Sequence, residues 1–76
     1  MTSDRIELAL SNEEALVLFE WLTNLDSSGN APPDNSAECR VLWAIEGQLE
    51  KKLVEPFSPN YSSLLENARK RVLEST

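Results

Sequence analysis

Apolar and polar residues alternate over Arg5 to Leu10, R-I-E-L-A-L, which places Ile6, Leu8 and Leu10 on one side of an extended chain. The spacing predicts a β-strand over 5–10, and no other segment of the 76 residues alternates in this way. A strand without a mate in its own chain must satisfy its backbone N–H and C=O groups with a second copy, another protein or water. The alternation would bury Ile6, Leu8 and Leu10 against the rest of the chain and leave Arg5, Glu7 and Ala9 outward.

After Leu10 the period becomes helical. Ser11-Asn12-Glu13-Glu14 reads as a capping box, in which the Ser11 hydroxyl accepts from the Glu14 N–H and the Glu14 carboxylate from the Ser11 N–H. It starts a helix over 11–26. At about 100° per residue, Ala15, Leu18, Phe19, Trp21, Leu22 and Leu25 share one side, with Glu13, Glu20 and Thr23 opposite. Leu16 and Val17 lie off this stripe, as scattered surface residues or as a second contact face. The run from Asp26 to Asn35 holds one of the two glycines and two of the four prolines, and predicts a loop over 27–35. An EF-hand beginning at Asp26 would need Gly at position 31 and Glu at position 37. Both are Ala, which excludes it.

A second helix is predicted over 36–55, capped by Asn35 with Glu38 as box partner and stopped by Pro56. Its stripe is Cys39, Leu42, Ile45, Leu49 and Leu53, flanked by Trp43 and Val54 on one shoulder and Val41 on the other. Glu46 falls inside that stripe. A carboxylate there marks the stripe's edge, joins an ion pair with an arginine of the third helix, or stays unpaired with a raised pKa, which makes Glu46 the candidate perturbed carboxylate. A third helix over 59–74 follows from Ser58 as N-cap and Pro59 as first residue. Tyr61, Leu64, Leu65, Ala68 and Val72 make its apolar face, and Arg69, Lys70 and Arg71 complement the dipole at its end. Phe57, between two prolines, is expected to plug the corner below the last two helices.

Charge sharpens the picture when it is split. The net charge of -6 divides into -7 over residues 1–38 and +1 over residues 39–76. The acidic half would repel a phosphate backbone and favour a basic protein, so nucleic acid is not an expected partner. An apolar share of 41% with 26% charged residues is that of a folding chain, here a single small domain spanning 1–76. Cys39 is the one cysteine, so no internal disulfide can form. That fits a reducing compartment with Cys39 as a small buried hydrophobe. With no basic leader and no apolar run near the roughly 20 residues that span a bilayer, a cytoplasmic, membrane-free protein is expected.

The search for catalytic chemistry returns little. There is no histidine, so Ser-His-Asp and Cys-His arrangements and histidine-containing zinc sites are excluded. Gly29 and Gly47 are isolated and build no phosphate-cradling loop. Glu46 and Glu50 are the nearest acid–base pair, one turn apart, without companions that would make a pocket. No enzymatic activity, cofactor or metal is expected.

The strand, the capped helix, L-W-A-I-E-G-Q-L-E-K-K-L over 42–53 and E-P-F-S-P-N-Y-S-S-L-L-E-N-A-R-K-R-V over 55–72 together resemble short acidic helical bacterial proteins of unknown function. The likeness covers most of the chain and implies no residue roles. In size, acidity and helical content alone, the chain is also similar to bacterial immunity proteins and antitoxins.

The expectation is a mainly α, three-helix domain with a short N-terminal β-strand that binds protein. It would self-associate as a homodimer through candidate interface residues Ile6, Leu8, Leu10, Leu16, Val17 and Trp43. The alternative is an acidic immunity-like inhibitor of a basic partner.

Overall fold

The computed structural model describes residues 5–75, the side chain of Ser75 excepted, and forms the Ser11 capping box in both directions. Glu14 N–H donates to Ser11 Oγ at 3.1 Å, and Ser11 N–H donates to Glu14 Oε1 at 2.8 Å. Helix α1 accordingly runs Asn12–Ser27, with Glu13 and Glu14 on the positive end of its dipole. It stops where Gly29 takes φ 81°, a left-handed conformation that needs no Cβ. Ser11→Ala should destabilise the chain by about 1 kcal/mol, seen as a lower urea midpoint at unchanged slope. An unmoved midpoint would show that the box adds nothing.

Helix α2 spans Ala37–Lys52, shorter than the predicted 36–55 and capped one residue later. Ser36, not Asn35, takes the cap, because its N–H and hydroxyl both donate to the Pro33 carbonyl, at 2.9 and 2.6 Å. That turn aims Ser36 Oγ at the Cys39 N–H, 3.1 Å away, and leaves Glu38 outside the cap. The helix ends early because Leu53 turns extended, at φ -91° and ψ 136°, while its N–H still donates to the Leu49 carbonyl. The turn carries its side chain into the core. A 3₁₀ turn, Glu55–Phe57, accommodates Pro56.

Helix α3 covers Tyr61–Ser75, two residues later than predicted at its start. The Asn60 carbonyl receives the first helical N–H groups, from Ser63 and Leu64, so Ser58 and Pro59 lie outside the helix. Continuation to Ser75 also places Arg69, Lys70 and Arg71 one turn short of the end, and Arg69 pairs with Glu66 at 3.4 Å. Phe57 is 77% exposed and is not the expected plug. The corner is filled instead by Leu53 from one side and Leu65 from the other.

Helix α1 lies between the other two. Thr23 meets Glu46 and Asn12 meets Glu55, so α2 runs antiparallel to α1. Tyr61 meets Glu20 while Val72 lies near Ser11, so α3 runs antiparallel to α1 as well. Leu16, Leu53, Leu65 and Ala68 form the main cluster, with Val17, Phe19, Leu49 and Tyr61 packed on it. Leu22 and Cys39 are buried at the opposite, loop end of the α1–α2 contact. Leu16 is therefore a core residue, 2% exposed, and Val17 is half-buried against the same cluster. Of the two options for Leu16 and Val17 it is the second contact face that forms, because a helix between two neighbours needs two apolar faces. Trp21, assigned to the stripe, is 56% exposed.

Among the described residues there is no β-strand. Residues 5–10 form no regular element, and their apolar residues are not buried against the helices: Ile6 is 87%, Leu8 81% and Leu10 45% exposed. A strand exists only through its ladder, and no described segment pairs with this one.

Candidate functional site

Three places on this scaffold combine polar chemistry with access. The first is the segment 5–10 itself, which enters α1 through the Ser11 cap. Its backbone groups appear in no hydrogen bond with another described residue. Ile6 and Leu8 project into solvent beside them. Below its root lies an open cleft of about 440 Å³ between the start of α1 and the end of α3, lined by Ser11, Glu13, Glu14, Arg71, Val72 and Glu74.

The second is the contact of Tyr61 with Glu20, where the phenol donates to Glu20 Oε1 at 2.6 Å. It fastens the start of α3 to the middle of α1. Burial, and then the hydrogen bond to the Glu20 carboxylate and its charge, push the phenol well above its ordinary pKa, with Arg69 opposing. The raised value means that the folded state keeps a proton the unfolded chain releases near pH 10. This stabilisation is complete below about pH 10 and is lost as pH rises further toward the folded-state value. Tyr61 is the one tyrosine, so the phenolate absorbance band should emerge later than in the urea-unfolded chain. Coincident titrations would rule the hydrogen bond out. A related contact joins α1 to the 3₁₀ turn, where Asn12 Nδ2 donates to Glu55 Oε2 at 2.6 Å. That bond, followed by backbone N–H groups, holds Glu55 below the usual carboxylate range.

The third place surrounds Glu46. Its Oε2 accepts from Thr23 Oγ1 at 3.4 Å, but that hydroxyl also donates to the Phe19 carbonyl at 3.0 Å. One proton serves two acceptors, and Glu46 receives the weaker share. Glu46 Oε1 is covered and has no partner. The sequence-based option of an ion pair to an arginine of α3 is not realised, since Glu46 faces Thr23 of α1 and Arg69 pairs within α3. A small void of about 10 Å³ adjoins Glu46, walled by α1, the loop and α2.

The chain matches no protein-family model, no curated protein and no solved structure.

Of the candidate interface set, Ile6, Leu8, Leu10 and Trp43 are exposed, and Leu16 is withdrawn because it is core. Trp43 sits at the loop end of α2, lining the Glu46 void rather than the N-terminal segment. Five further large apolar residues are exposed, Trp21, Val41, Val54, Phe57 and Leu73, and of these Trp21 and Phe57 had been expected to face inward. Helical spacing placed Trp21 on the inward stripe, and its position between two prolines placed Phe57 at the corner. Among the described residues, no group of three or more His, Cys, Asp or Glu is placed to hold a metal ion. No helix there is long and apolar enough to cross a membrane.

Proposed function

We propose that the chain is a non-enzymatic protein-binding module that associates with a second copy of itself through residues 5–10. The carrying observation is a segment outside any regular element, with no backbone hydrogen bond to another described residue, whose Ile6 and Leu8 are almost wholly in solvent. Two such segments brought together antiparallel satisfy each other's backbone groups and cover each other's aliphatic side chains. A two-fold axis makes the contact self-complementary. The thinness of the core supports the same reading. Only Leu16, Leu22, Cys39, Leu53, Leu65 and Ala68 are buried hydrophobics among the described residues, while nine large apolar side chains are exposed. Small domains commonly offset such a deficit by oligomerisation.

The test is molar mass in solution by light scattering across a dilution series. A mass of two chains at roughly 10–100 μM, falling toward one on dilution, is the expected result. A single-chain mass throughout would overturn the reading.

A second reading has its own support in the charge asymmetry, -7 over residues 1–38 against +1 over the rest. In it, the acidic half binds a basic protein and blocks it. Capture of a basic protein that weakens steeply with salt supports this reading, and capture indifferent to salt contradicts it.

A further inference from the structure

The loop end of the α1–α2 contact holds an unusual combination. Its void of about 10 Å³ is the size that one water-sized group fills. Leu22, Leu25, Pro32, Leu42 and Trp43 supply an apolar wall, and Glu46 and Asp26 are the charged residues lining it. No lysine or arginine lines it, and Glu46 Oε1 is covered without a partner. A buried carboxylate oxygen with no donor is a strong demand for one. Thr23 does not meet that demand, since its proton is shared and goes to Oε2.

The group that fits must be compact, cationic and able to donate several hydrogen bonds, and it must arrive on an apolar stem. A lysine side chain has this form: an ammonium about the size of a water molecule on a four-carbon chain. A guanidinium is a wide planar fork and does not suit so small a space. The methylenes would lie along the leucines and Pro32 while the head reaches Glu46. Trp43 lines the void and is also solvent-exposed, which places an aromatic ring beside the approaching cation.

We propose that this pocket receives the ammonium end of a lysine from a basic protein partner, with Glu46 Oε1 as its acceptor and Asp26 as the outer charge. The proposal rests on the second reading above, in which the chain engages a basic protein, with Asp26 supplied by the acidic half and Glu46 by the helix that follows it. It also gives that reading a specific point of contact.

The experiment titrates the unmodified, isotope-labelled chain with n-butylammonium, which reproduces the lysine head and stem, and follows amide and indole resonances by NMR. Saturable shifts confined to Glu46, Asp26, Leu22 and the Trp43 indole are expected, with the Trp21 indole unmoved as internal control. Butylguanidinium and n-butanol should bind at least tenfold more weakly. Glu46→Gln, which keeps the side chain's shape, should weaken n-butylammonium at least tenfold. Equal shifts from n-butanol, no saturable shift at all, or an undiminished response in Glu46→Gln would overturn the proposal and leave the void to a water molecule. Recovery of a basic protein by the full chain without n-butylammonium binding would reject this pocket while sparing the inhibitor reading. Binding of n-butylammonium without any basic partner would do the reverse.

Discussion

Leu16→Ala should leave most of the chain unfolded at room temperature. Leu16 is 2% exposed and touches both sides of the main cluster, meeting Leu53 after α2 and Leu65 and Ala68 on α3. Deleting a buried leucine side chain to alanine costs about 2–5 kcal/mol, through lost burial and the cavity left behind. A core of this size supplies only about 3–5 kcal/mol of net stability. The substitution therefore consumes the margin. Far-ultraviolet circular dichroism should show the loss of helix, and a urea titration should lack a native baseline. Val41→Ala is the matched control: Val41 is exposed on α2, and its loss should change stability by no more than about 0.5 kcal/mol. Equal behaviour of the two variants would mean that the Leu16 cluster is not the core.

The second large effect concerns association. Replacing Ile6 and Leu8 together by aspartate should raise the dissociation constant of the proposed dimer by at least about two orders of magnitude. Each aliphatic side chain is worth about 1.5–3 kcal/mol when fully covered, and each 1.4 kcal/mol is tenfold in affinity. Added negative charge in an already acidic half works in the same direction. The fold should survive, because neither residue contributes to the helical core in the single chain. Sedimentation or light scattering at fixed concentration reads the first effect, and circular dichroism the second. A doubly substituted chain that still runs at the mass of the parent dimer would place the interface elsewhere, with exposed Trp21 and Phe57 the next residues to replace.

The fold was legible where a local signal acts on its own. The Ser11–Glu14 box is such a signal, since all its atoms lie within four residues, and α1 starts where it directs. The face of α3 is another: Tyr61, Leu64, Leu65, Ala68 and Val72 share one stripe, and all are buried or half-buried. Signals that depend on neighbours were misread. Asn35 and Ser36 are both good caps, and the choice was made by the Pro33 carbonyl, whose position follows from the turn rather than from residue type. Leu16 lay off the stripe of α1 because a hydrophobic pattern does not say how many neighbours a helix has. Phe57 is apolar, yet the space it was expected to fill is taken by Leu53. Alternation over Ile6, Leu8 and Leu10 describes which side chains share a face, while pairing needs a partner that periodicity cannot supply. Glu46 was singled out by its place among apolar neighbours. What it faces was beyond the sequence, because Thr23 and the loop reach it only through the packing of two helices.

The division of the buried residues between two ends of α1 has a consequence for how the chain comes apart. The Leu16 end is closed by all three helices, whereas the Leu22 and Cys39 end is closed by α1, α2 and the connecting loop. Fewer contacts must break to separate the loop end, so its opening lies below the free energy of global unfolding. Opening of the loop end ahead of the rest would expose the Cys39 thiol, which is hidden in the folded state and so is the chemical marker of that step. A reagent for thiols would meet it while α1 and α3 still hold together.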